Sequence, residues 1–123
     1  MRLKSDLWVK AYLRTVAAAG DYAAVLAHGD DARGTILIKL NLLDGTAALY
    51  GPAPPSLDAS AKRDDGERLF ALMHTADFLP EADVDRLATR ERDFDPEVWI
   101  IETESRDGAH HLHGWLATVN KSR

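Results

Sequence analysis

The sequence predicts an α+β fold: a predominantly antiparallel sheet of five or six strands with two helices packed on one face. Three observations carry this. Apolar residues recur at helical spacing over 5–19 and 80–93. Between 22 and 50 they gather into runs of strand length, rich in branched side chains. The pair Asp44-Gly45 marks a tight hairpin between two of those runs. A chain of 123 residues makes one domain, 1–123.

The first helix is expected over 5–19. Trp8, Val9, Tyr12, Leu13 and Val16 form one apolar stripe, with Asp6, Lys10 and Arg14 on the other side as i,i+4 neighbours. Ser5 is placed to cap its start, and Gly20 to take the left-handed position past its end. A three-stranded meander follows at 22–28, 35–43 and 46–50. A type I′ turn at Asp44-Gly45 sets Leu40 against Leu49 and Lys39 against Tyr50. Pairing Gly29 with Gly34 sets Val25 against Ile38 and Ala24 against Lys39. Alternation then divides the meander into two faces. The face running from Ala23 and Val25 through Ile36, Ile38 and Leu40 to Ala47 and Leu49 is wholly apolar and is expected to be core. The other is mixed: Tyr22, Ala24, Leu26, Leu37, Lys39, Asn41, Ala48 and Tyr50.

Gly51-Pro52-Ala53-Pro54-Pro55 ends the third strand, because proline cannot donate to a ladder. The polar, aperiodic residues up to 66 extend this into a surface loop at about 52–66. Residues 67–74 read as a strand, although their Leu, Ala and Met also suit a helix. A second helix is expected over 80–93, with proline in its first turn and acidic residues early. Pro96 forbids its continuation. Strands at 98–104 and 110–115 follow, joined by the turn Arg106-Asp107-Gly108.

Composition narrows the function classes. An apolar fraction of 46% and a charged fraction of 28% are those of a globular domain. The chain has no cysteine, which removes disulfide scaffolds, thiolate metal sites and cysteine nucleophiles. A net charge of −5 argues against nucleic acid or an anionic membrane as partner. Residues 61–123 carry that whole net charge, and residues 77–107 hold four basic against eleven acidic groups. Such a run is either a solvated face or a docking surface for a basic partner. Asp6, Lys10 and Arg14 interrupt the apolar stretch that a signal peptide needs, so a cytoplasmic location is expected.

Three strings together resemble a known family: Met1-Arg2-Leu3-Lys4-Ser5-Asp6-Leu7-Trp8-Val9, Leu43-Asp44-Gly45-Thr46-Ala47-Ala48-Leu49-Tyr50-Gly51-Pro52-Ala53-Pro54, and Phe94-Asp95-Pro96-Glu97-Val98-Trp99-Ile100. They are similar to small alphaproteobacterial proteins grouped as domain of unknown function 1491. The resemblance runs from the first residue to about Leu112, and the histidine-rich end departs from it. It implies a lineage and a compartment and carries no catalytic residue.

Among candidate sites, His111 and His113 would point to one side of a strand, where Glu102 or Glu104 from the facing strand can add a third metal ligand. An exposed polar edge strand is the plainer reading. Carboxylate pairs such as Asp64-Asp65 and Glu102 with Glu104 read as solvated surface, and no nucleophile or phosphate-loop motif is present. On the mixed face, Tyr22, Lys39, Asn41 and Tyr50 set a cation, an amide and two phenols over small alanines. That composition suits a small anionic ligand. Leu26, Leu37, Leu43 and Tyr50 on the same face suit a homodimer interface. The sequence therefore favours a non-enzymatic binding or protein-interaction module without a cofactor. The alternative is a small enzyme dependent on a metal or an anionic ligand, using the mixed face or the histidine strand.

Overall fold

The computed structural model describes residues 3–54 and 68–117. Most of the expected 52–66 loop lies outside the described residues. The element order is α1 (Ser5–Ala18), β1 (Tyr22–Ala27), β2 (Ile36–Asn41), β3 (Thr46–Pro52), β4 (Phe70–Leu72), β5 (Leu79–Pro80), α2 (Glu81–Phe94) and β6 (Trp99–Glu104). The strands form one six-stranded sheet in the order β1-β6-β2-β3-β4, with β5 also pairing β3. Every pairing is antiparallel except β2 with β6, which is parallel. The fold is α+β. No helix among the described residues is long and apolar enough to cross a membrane.

Four expectations about the sheet are corrected. First, β1 does not pair with β2. The last strand, β6, inserts between them, so Val25 meets Ile101 and Ala24 meets Glu102. The connection between β1 and β2 is shaped for this insertion: a Cβ on either Gly29 or Gly34 would collide with the Glu97 carbonyl at the entry to β6. Second, the hairpin of β2 and β3 slips by one residue. Lys39 meets Leu49 and Leu40 meets Ala48, leaving a three-residue loop, Leu43-Asp44-Gly45. Leu42 N–H closes it on the Thr46 carbonyl at 3.1 Å. Its positive φ angles fall at Leu43 (64°) and Gly45 (93°) rather than at adjacent residues. The Asp44 carboxylate accepts from both the Thr46 backbone N–H and its hydroxyl, which holds the turn.

Third, the slip reverses the faces of β3. Tyr50 and Ala48 now lie with Ile38 and Leu40, while Ala47 and Leu49 lie with Leu37 and Lys39. Fourth, the two helices occupy opposite faces. α1 packs Trp8, Val9, Tyr12 and Val16 onto Ile36, Ile38, Trp99 and Ile101. α2 packs Val84 and Ala88 onto Leu37, Leu49 and Ile100. The cause is β2 itself. All six of its residues are buried, so as a central strand it needs cover on both sides, and the one lysine in it is no sign of a solvated face.

Gly20 follows α1 with φ 88°, as expected. Ser5 does not cap the helix. Its hydroxyl donates to the Gly34 carbonyl at 2.7 Å, and the Ser5 and Asp6 N–H groups bond to the Ala32 and Asp31 carbonyls instead. A strand does form within 67–74, as β4. The expected strand at 110–115 is absent. That segment crosses the α1 face as an irregular turn, with His111 at φ 58° and Leu112 wholly buried.

Candidate functional site

Three groups of side chains can carry function, and each is built by a different part of the fold. The first lies where α2 crosses β2. Lys39 is only 4% exposed, a position where an unpaired ammonium is strongly unfavourable. Residues four apart on a helix share a face, so Glu81 and Asp85 both reach down from α2. Lys39 Nζ donates to Glu81 Oε2 and to Asp85 Oδ1, each at 2.7 Å, and stands 3.3 Å from Glu102 Oε2 on β6. Asn41 Nδ2 donates to Glu102 at 2.9 Å and to Glu81 at 3.3 Å, while its Oδ1 accepts from Leu43 N–H. Burial pulls the ammonium pKa down. The hydrogen bonds to Asp85 and Glu81 and the charge of Glu102 outweigh it and hold the pKa above the ordinary lysine range. Lys39 is thus a permanent cation, and its chemistry here is to fasten α2 to the sheet.

The second group lies on the α1 face. Tyr12 is completely buried; its hydroxyl bonds Thr103 Oγ1 at 2.7 Å and donates to the His110 carbonyl at 2.8 Å. Burial pushes its pKa up to about 12. His110 Nδ1 accepts the Leu112 N–H at 2.8 Å, which requires that nitrogen to be unprotonated. Burial first, then the neighbouring His113 and His111, lowers the His110 pKa. The His111 Nε2 lies 2.7 Å from Asp21 Oδ2, tying the segment to the start of β1.

The third group is the β1 edge. The strand Tyr22–Ala27 carries no charge and no proline, and none of its six residues is buried. Tyr22 is 62% exposed and Leu26 55%. α2 packs mainly on β2 and β3 and reaches β1 at its far end, where Ala27 joins the α2 cluster and Arg92 donates to the His28 carbonyl. An open cleft of about 490 Å³ at the Tyr22 end is lined by Asp21, Glu104, Asp107, Arg106, Tyr22 and Leu43.

These groups redistribute the residues singled out from sequence. Of Tyr22, Lys39, Asn41 and Tyr50, only Lys39 and Asn41 come together. Tyr22 shares their side of the sheet but lies on the far edge strand, and Tyr50 packs on the opposite face against His110. His111 and His113 lie in the irregular segment on the α1 face, whereas Glu102 turns toward α2, so the three do not converge. Among the described residues no cluster of three or more His, Asp or Glu is arranged to hold a metal. Of the expected interface, Leu37 is buried beneath α2 and Tyr50 faces the other way, while Leu26 and Leu43 remain exposed. Sequence reasoning missed Glu81 and Asp85. Their signal is two carboxylates one turn apart at a helix start, matched to a lysine in a strand that must be buried.

Against this geometry, the family model described as a protein of unknown function, DUF1491, matches residues 3–113. The chain belongs to the DUF1491 family. It is similar to a DUF1491 protein from Caulobacter crescentus CB15 seen by crystallography, at 35% identity over 89% of this chain and 94% of that one, with a TM-score of 0.72. It is equally similar in sequence, 35%, to protein Atu0922 from A. tumefaciens in solution, covering 100% of this chain and 99% of that one, with a TM-score of 0.73. An NMR structure of a Caulobacter DUF1491 protein gives 35% identity over 90% and 93%, and a TM-score of 0.70. These DUF1491 relatives come from alphaproteobacteria, as the sequence resemblance implied. None of the curated proteins matches.

Proposed function

We propose that this chain is a non-enzymatic protein-interaction module that meets its partner along β1. The observation that carries the reading is the difference between the two ends of the sheet. At the β4 end, the C-terminal segment covers the strand: Phe70 N–H bonds the Trp115 carbonyl, Ala117 N–H bonds the Phe70 carbonyl, and Leu116 bridges Phe70. At the β1 end, no strand among the described residues pairs on the outer side. An edge of exposed apolar side chains with free backbone groups is a template for another chain. The titratable clusters support the same reading, since Lys39 and Tyr12 are committed to internal bonds that hold the two helix layers in place.

The reading is tested by capture with wild-type chain and with Val25→Lys, which puts a charge on the open edge at a position already 38% exposed. A specific protein retained by the wild type and lost with Val25→Lys supports it. A thermal-shift screen against divalent metals and anionic metabolites tests the enzyme alternative. A selective rise in melting temperature, with capture indifferent to Val25→Lys, would contradict the proposal.

A further inference from the structure

We infer that the strand added to β1 is a basic one, alternating Lys or Arg with apolar residues; this rests on the interaction reading above and names its partner. β1 offers a regular edge over Tyr22–Val25, because its register with β6 shifts between Val25 and Ala27 and interrupts the ladder there. Its two sides differ. On the α1 side, Ala23 and Val25 are apolar, and Ala23 packs against the α1 core. On the α2 side, Tyr22 and Ala24 lie in register with Glu104 and Glu102 on the adjacent strand. A strand laid against β1 would stand about 10 Å from β6, two inter-strand spacings. Long cationic side chains on its α2 side reach back over the small Ala24 toward Glu102 and Glu104, with their stems on Tyr22. Asp21, which also holds His111, and Asp107 extend the acidic border at the Tyr22 end, where Arg106 is the opposing charge among the described residues lining the cleft. Apolar residues on the other side of the added strand meet Val25.

A second copy fits this edge less well. Its own β1 offers Tyr22 and Ala24 where cations are wanted, and a two-fold pairing would bring two acidic borders together on subunits that each carry −5.

The test uses the full chain labelled with ¹⁵N and two capped peptides, one alternating valine with lysine and one alternating valine with glutamate. The lysine peptide is expected to shift the amides of Tyr22–Val25 and of their β6 partners, saturably, with affinity falling about tenfold or more from low to high salt. Glu104→Gln should weaken it several-fold while leaving the spectrum of the free chain folded. The glutamate peptide should leave β1 unmoved. Equal binding of both peptides, or shifts elsewhere only, would overturn the inference. So would a light-scattering mass twice 13.6 kDa whose dilution changes the β1 amides, which would give the edge to a second copy. If the lysine peptide fails while Val25→Lys still abolishes capture of a partner, the module reading stands and the basic strand is wrong.

Discussion

Lys39 interrupts a strand of Ile, Leu and Asn, and its ammonium is balanced by carboxylates from two other elements, Glu81 and Asp85 on α2 and Glu102 on β6. Replacing it with methionine keeps the stem but leaves three carboxylates facing one another. Breaking a buried pair costs about 3–5 kcal/mol, and the partial exposure of Asp85 and Glu81 reduces this, so Lys39→Met should lose about 2 kcal/mol in a urea titration. A loss near zero would mean that water solvates the three carboxylates well enough without the lysine. Tyr12 gives a prediction at alkaline pH. Its folded pKa of about 12 exceeds the unfolded 10.0, so the unfolded chain releases the proton first. The stability that Tyr12 contributes is full below pH 10 and falls by about 1.4 kcal/mol per unit between pH 10 and 12. The raised pKa of Lys39 acts in the same direction. Urea titrations across this range should show a shallower fall for Tyr12→Phe than for the wild type. The sequence singles out Lys39 and Asn41 on periodicity alone. It does not show their partners, because Glu81 and Asp85 meet them only once the second helix has chosen a face.

The hairpin and the C-terminal segment show what decides structure at the scale of elements. Asp44-Gly45 correctly marks a turn, but whether that turn has two or three residues is settled by Leu43, which takes φ 64° with its N–H held by the Asn41 side chain. One residue of slip then carries Tyr50 to the opposite face. Gly45 stands at φ 93°, so Gly45→Ala should cost about 1 kcal/mol, read as a lower urea midpoint with an unchanged slope. The segment that fails to form a strand is pinned by Leu112 and by its N–H bond to His110. Because the His110 pKa is lowered in the folded state, the unfolded segment takes up its proton first as pH falls through the ordinary histidine range. Stability contributed there is present above that range and lost below it. Amide exchange near Leu112 should therefore accelerate from pH 7 to pH 5 relative to the intrinsic rate, and His110→Gln should flatten that response. Alternation of residues at 110–115 gives no hint of this, since the signal is a buried leucine among polar neighbours.

At the scale of the molecule, the α+β class, both helices and the strands other than β5 are legible in local pattern. The order of the strands is not. β6 inserts between β1 and β2 from far along the chain, and Gly29 and Gly34, which make room for it, read in the sequence only as a turn. The helices fall on opposite faces for the same reason: with β6 beside it, β2 is an inner strand, and among the described helices α2 is the one that covers Leu37 and Lys39. The mixed face read as an interface is thus covered by α2 at Leu37 and Lys39, while Tyr22, Val25 and Leu26 stay exposed at the β1 edge. Amide hydrogen exchange of the free chain tests this most directly. With β6 on one side and no described strand on the other, alternate amides of Tyr22–Val25 should exchange rapidly between protected neighbours, while every amide of β2 is slow. Uniform protection along β1 would show the edge already paired, and would contradict an open docking strand.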